Sequence, residues 1–184
     1  MRKEVFKLMA IMNNSTNSIV NTKSEKDFVT GIYNRWYVDT LLTSKFPYLW
    51  LCTLMLLDID NFKDINEKYG KADVDKILKE VSEIILTTVG ESGIIARSHN
   101  HEFIVVIPLL SKRASFILAE KIATTVARTP ISLKNEKQSL TISIGTCTFL
   151  REENKISTLD QWVKATENAL LKAKTHGKGM VIQL

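Results

Sequence analysis

The feature that most constrains this chain is an apolar run, FPYLWLCTLMLL (46–57), that stops at two acids one residue apart, Asp58 and Asp60. Crossing a bilayer takes about 20 apolar residues. This run is shorter, is broken by Pro47 and Thr53, and ends on a charge, so it reads as a buried strand over 48–57. The length, 184 residues, and the composition, 45% hydrophobic and 24% charged with 7 Gly and 3 Pro, supply one globular core. Disorder, collagen-like repeats and a disulfide scaffold are excluded. Cys52 and Cys147 both lie in apolar stretches, as buried reduced thiols of a cytoplasmic protein would.

Around that strand the periodicities alternate. Val74, Ile77, Leu78, Val81, Ile84 and Ile85 fall at helical spacing, as do Phe116, Ala119, Ile122, Ala123 and Val126. Short β-rich stretches at 94–98, 102–108 and 139–148 are followed by a helix near 159–175 and a strand at 179–183. The order is β-α-β-β-α-β, a ferredoxin-like, palm-type α+β sheet with helices packed on it. In that topology strands 48–57 and 102–108 are antiparallel neighbours, so Asp58 and the turn at 99–101 meet at one edge. Segments 129–138 and 150–157 read as surface loops.

The net charge is +5, unevenly placed: residues 1–25 carry +2, residues 172–184 carry +3, and 26–171 are neutral. Nucleic-acid binders spread basic residues over a face with interleaved aromatics. The C-terminal cluster has no aromatic, so a phosphate ligand or a solvated tail accounts for it better than nucleic acid. The start, MRKEVFKLMAIMNNSTNSIV, has a short, broken apolar stretch and no small-residue cleavage site. Residues 1–24 read as a helix, either a connector or one packed on its own domain, ahead of a domain at 25–184.

The strongest local signal is LLDIDNFKDINEKYG (56–70). Two carboxylates at a strand terminus offer hard oxygen ligands for Mg²⁺ carrying a nucleotide phosphate, with Lys63 in reach of phosphate oxygens. On spacing alone the plain alternative is as good: Asp60 caps a helix and Asp58 marks a solvated strand end.

Five ordered blocks resemble the GGDEF domain of the diguanylate cyclase family over residues 25–184. They are DFVTGIYNRW (27–36), LLDIDNFKDINEKYG, Asp75 in place of the family's G-D acid, TISIG (141–145) and LLKAKTHGKGMV (170–181). The resemblance implies a nucleotidyl cyclase fold in which two protomers each hold GTP and close cyclic-di-GMP in bacterial signalling. It further implies that Asp58 and the carbonyl of Ile59 hold Mg²⁺ or Mn²⁺. Asn66 and Asp75 bond the guanine edge, and Phe62, Lys63 and Lys174 contact the nucleotide and its phosphates. Taken singly, Phe62 is equally a core residue and Lys174 a solvated lysine suited to the helix dipole.

The signature itself departs. His99, Asn100, His101, Glu102 and Phe103 stand where the family has G-G-D/E-E-F. Asn tolerates the left-handed region that the glycines supply, although His99 and Asn100 fill space a ligand would use. His101 replaces the family's catalytic and metal-binding acid, and a neutral imidazole suits Mg²⁺ poorly. Losing that carboxylate removes electrostatic stabilisation from phosphoryl transfer. Val74 and Lys71 replace a Gly and a His, and Gly90 and Gly93 stand at the R-x-x-D product-inhibition positions, so no feedback site is expected. A sharper alternative joins His99, His101 and Asp58 as a cluster for Zn²⁺, Mn²⁺ or Fe²⁺, with Glu102 on the opposite face.

The leading expectation is a degenerate domain that binds GTP or a related nucleotide, or docks a phosphodiesterase or active cyclase domain. The alternatives are a weak diguanylate cyclase and a homodimer that uses the fold as scaffold.

Overall fold

The computed structural model describes residues 24–133, 136–153 and 155–184. The expected N-terminal helix lies outside the described residues except for Ser24. A six-stranded sheet runs in the order β1-β3-β4-β2-β7-β8. The strands are β1 (Tyr33–Asn34), β2 (Leu51–Ile59), β3 (Ile94–Arg97), β4 (Glu102–Pro108), β7 (Ile142–Leu150) and β8 (Val181–Gln183), and β5 (Ile131–Leu133) with β6 (Glu136–Gln138) form a separate hairpin. The helices are α1 (Arg35–Lys45), α2 (Phe62–Tyr69), α3 (Lys71–Val89), α4 (Lys112–Arg128) and α5 (Leu159–Thr175).

β2 is central and antiparallel to both β4 and β7. Strand side chains alternate between faces, and here both faces are covered. Met55, Leu57, Ile59, Phe103 and Val105 join Val74, Ile77, Val81 and Ile85 of α3 and Ala119 and Ile122 of α4 in one core. Cys52, Leu54, Ile104, Val106 and Cys147 join Val38, Leu41 and Leu42 of α1 and Trp162 of α5 in the other. Both cysteines are free and buried. Burial pushes both thiols above their ordinary range.

The helices begin where the sequence offers side-chain oxygens to otherwise unpaired amides. Asn34 accepts from the Tyr37 amide, Ser111 from Ala114 and Thr158 from Gln161. Gly70, at φ 80°, separates α2 from α3: its amide donates to Asn66 O while its carbonyl accepts from the Val74 amide.

Three expectations change. The strand expected over 48–57 begins at Leu51 and runs on through Asp58 to Ile59, because Pro47 favours the first turn of a helix and Phe46–Tyr48 form a 3-10 turn. Segment 129–138 contains the β5–β6 hairpin, whose Ile131 and Leu133 are buried against the α3–α4 core. Segment 150–157 includes a 3-10 turn at Arg151–Glu153.

Gly145 of β7 lies directly beneath α5. A Cβ there would sit 2.2 Å from the Leu170 amide nitrogen and 2.6 Å from Thr166 O, both backbone atoms of one helix. Gly145→Ala must therefore lift α5 off the sheet. Overpacking typically costs about 1–3 kcal/mol, and with backbone on both sides the upper end or beyond is expected in urea unfolding. A loss below about 1 kcal/mol would contradict this packing account.

Candidate functional site

The site forms where β2 ends between β4 and β7. Asp58 is the penultimate residue of β2 and is 1% exposed; Asp60 follows the strand and is 3% exposed. A buried carboxylate is tolerable only when its oxygens are answered, and the two acids are answered differently.

Asp60 is a structural hub. It accepts from Thr141 Oγ1 at 2.7 Å, Ser143 Oγ at 2.7 Å and the Gly179 amide at 2.8 Å. Its own amide donates to Thr141 O at 3.0 Å. It does not cap α2: that position belongs to Asn61, at φ 56°, whose side chain makes no capping bond to the helix. The T-x-S-x-G pattern thus has a physical reading, in which two hydroxyls on alternate residues hold Asp60 and the glycine admits α5.

Asp58 is no solvated strand end. Its Oδ2 accepts from Lys174 Nζ at 2.7 Å and lies 3.3 Å from His101 Nε2. The His101 ring stacks on Phe62, with centroids 4.5 Å apart and planes 15° apart. Its Nδ1 is buried without a hydrogen-bond partner. A hydrogen on Nδ1 would be a buried donor with no acceptor, so the ring carries it on Nε2 and donates to Asp58. Phe62 is half-buried, touching the α3–α4 core with one side and His101 with its face.

The turn that carries His101 is held from outside the site. Arg97 donates through Nε and Nη2 to Asn100 O at 2.9 and 2.6 Å and through Nη1 to Asp27 Oδ1 at 3.2 Å. The Glu102 amide donates to His99 O and the Ser98 amide to Glu102 O, which closes the turn. Asn100 takes φ 48°, the left-handed conformation expected of it.

The remaining candidates spread outward. Ile59 is buried, and its amide lies 3.4 Å from His101 O. Lys63 is exposed, with Glu67 at 3.9 Å. Asn66 on α2 is exposed and Asp75 on α3 half-buried, on either side of Gly70. His99 is exposed.

Two residues gain a place that spacing did not give them. Lys178 Nζ donates to Asn61 Oδ1 at 2.6 Å, so a second ammonium group flanks the loop that ends β2. The G-K-G between α5 and β8 was its available signal. Glu102 pairs directly across from Asp58, and paired residues of an antiparallel ladder share a face. It is therefore on Asp58's face and not the opposite one.

A divalent cation fits this donor set poorly. Asp58 Oδ2 is engaged by an ammonium group and an N–H, His101 Nε2 has no free lone pair, and its Nδ1 is buried. The His99–His101–Asp58 cluster does not assemble: among the described residues no three His, Cys, Asp or Glu side chains converge on a common point for an ion. The reason is local, because β4 starts at Glu102, so residues 99–101 turn and do not alternate.

A family model for the diguanylate cyclase GGDEF domain matches residues 24–180. A protein named "Probable diguanylate cyclase DgcF" from Escherichia coli (strain K12) is 35% identical over 133 residues, covering 72% of this chain and 42% of its own length. The chain thus spans less than half of that relative. The GGDEF domain of DgcB from Caulobacter crescentus, solved in complex with c-di-GMP, superposes with a TM-score of 0.79 at 22% identity, covering 90% of this chain and 96% of that one. Diguanylate cyclase SiaD from Pseudomonas aeruginosa, solved with its activator SiaC, gives 0.81 at 22% identity over 100% of this chain and 69% of that one. At these identities the structures speak for the fold. Among the described residues no helix is long and apolar enough to cross a membrane.

Asp58 and Asp27, each held by donors, dictate an acid sensitivity. Burial pushes the Asp58 carboxyl up, but the hydrogen bonds from His101 and Lys174 and the charge of Lys174 outweigh it and hold it below the ordinary range. At Asp27 burial is likewise outweighed, by the Thr30 amide and hydroxyl and by Arg97. Between the folded value and an unfolded value near 3.9 the unfolded chain binds more protons, so stability rises with pH. The contribution is complete above about pH 5 and is lost as pH falls through the folded values. Urea unfolding below that pH should show a shallower slope in Asp58→Asn and in Asp27→Asn than in the parent. Identical slopes in all three proteins would contradict the assignment.

Proposed function

The chain belongs to the diguanylate cyclase GGDEF-domain family, and we propose that it works within cyclic-di-GMP signalling as a catalytically impaired domain that binds a guanine nucleotide. One observation carries the reading: at the position of the family's acid, a histidine N–H donates to Asp58, and the partner carboxylate needed for phosphoryl transfer is missing from that position. The residues carried over for binding are retained. Asn66 and Asp75 supply amide and carboxylate groups for a guanine edge on α2 and α3, and Lys174 reaches the strand end where phosphates belong.

The relatives support the pathway rather than the role. DgcB binds c-di-GMP and SiaD binds a protein activator. Gly90 and Gly93 give this chain no side chains at the surface where the family takes up its product, and Gly93 packs so closely on Ile107 that a Cβ would meet it at 2.7 Å. Docking of a phosphodiesterase domain, an active cyclase or a second copy of this chain is a further use of the same fold. A weak cyclase is the second reading, favoured by the retention of buried Asp58.

Calorimetry with GTP is expected to give saturable heat, weakened about tenfold by Asn66→Ala or Asp75→Ala, the scale of one lost hydrogen bond to a buried or charged partner. Incubation with GTP and Mg²⁺ or Mn²⁺, resolved by chromatography, should yield no cyclic-di-GMP. Turnover that Asp58→Ala abolishes would establish the cyclase reading instead. His101→Glu, with glycines at 99 and 100, is expected to gain cyclase activity; no gain would show that the lost acid is not what silences the site.

A further inference from the structure

We propose that this site takes the triphosphate of its nucleotide as the free anion, without a divalent cation, and that Lys174 and Lys178 do the neutralising. The inference rests on the nucleotide-binding reading and specifies how the same site meets its ligand's charge.

A site with two converging carboxylates repels a triphosphate unless a metal ion lies between them, because every oxygen facing the cleft is negative. This site is built otherwise. The single converging carboxylate, Asp58, is met on Oδ2 by the Lys174 ammonium group at 2.7 Å. His101 presents an N–H at 3.3 Å where a metal ion would need a lone pair. Freeing a lone pair on Nε2 means moving its hydrogen to Nδ1, where it would be a buried donor with no acceptor, while the ring face is held against Phe62. Glu102 shares Asp58's face, yet its carboxylate does not converge with Asp58 and His101 into a three-donor group.

The cations are placed for phosphate instead. Lys174 and Lys178 bracket the loop 58–61, one on Asp58 and the other on Asn61. Lys174 closes α5 and Lys178 lies in the turn before β8, and that turn is fixed to the loop through the Gly179 amide on Asp60. Both ammonium groups therefore stand on a backbone that does not need to reorganise. The Asn61 side chain is a neutral partner that a phosphate oxygen can displace at small cost. Magnesium bound to the triphosphate demands several oxygens, and among the described residues no third acidic or imidazole side chain joins Asp58 and His101 to supply them.

The test compares GTP binding by calorimetry in excess EDTA and in excess Mg²⁺, alongside a Mn²⁺ titration of the protein alone followed by electron paramagnetic resonance of the free ion. Affinities agreeing within about twofold, no uptake of Mn²⁺, and about tenfold weaker binding in EDTA for Lys178→Ala are expected, the size of one charge-assisted contact. His101→Glu should convert the protein to Mg²⁺-dependent binding. Heat seen only with Mg²⁺, or stoichiometric Mn²⁺ uptake by the parent, overturns the inference and leaves the nucleotide reading intact. No heat in either condition overturns both.

Discussion

The Asp60 carboxylate is the tie on which the rest of this molecule depends. It sits at 3% exposure and collects two hydroxyls from the start of β7 and one amide from the turn before β8. Each bond to a charged acceptor is worth about 1.5–3 kcal/mol, and each would cost a comparable penalty if its donor were left buried and unpaired. One side chain thus locks three stretches distant in sequence into one corner. Asp58 lies two residues upstream on the same rigid strand, so its oxygen meets Lys174 and His101 in a fixed relation.

The order of elements was legible because its signals are long. Helices of 17 to 19 residues and strands of seven to nine carry several turns of their own period. The β5–β6 hairpin was not, since three residues a side hold one alternation and nothing to separate it from a loop. The site was legible to the level of neighbourhood: the topology alone brought Asp58 beside the 99–101 turn, and register pairs Asp58 with Glu102. The misreadings share one cause. The D-x-D spacing does not say which acid faces ligand and which is spent on the scaffold, and the two-residue spacing of His99 and His101 speaks to a shared face only within a strand.

The turn separates shape from chemistry. Its geometry is held by Arg97 and Asp27, neither of which touches the Asp58 cluster, and by an asparagine that accepts a positive φ. Replacing glycine by asparagine in the left-handed region is among the cheapest such exchanges. The hairpin therefore keeps its path while the side chain at its third position changes from an acceptor of cations to a donor of hydrogen bonds. A fold held by contacts outside the site can lose or exchange its chemistry without losing stability, and the β3–β4 corner has that construction.

The basic excess of the chain acquires a location from the same contacts. Residues 172–184 carry +3 with no acid of their own. Two of those three lysines are turned onto the end of β2, one against a buried carboxylate and one against an amide oxygen. With an acid at position 101 this corner would hold one more negative charge, and the lysines would compete with a metal ion for it. With His101 the two lysines balance Asp58 and Asp60 within the loop 58–61, and no further acid stands at the third position of the turn. A histidine at that turn position thus leaves the corner one negative charge short of what an acid there would give, and it does so without any change in the path of the turn.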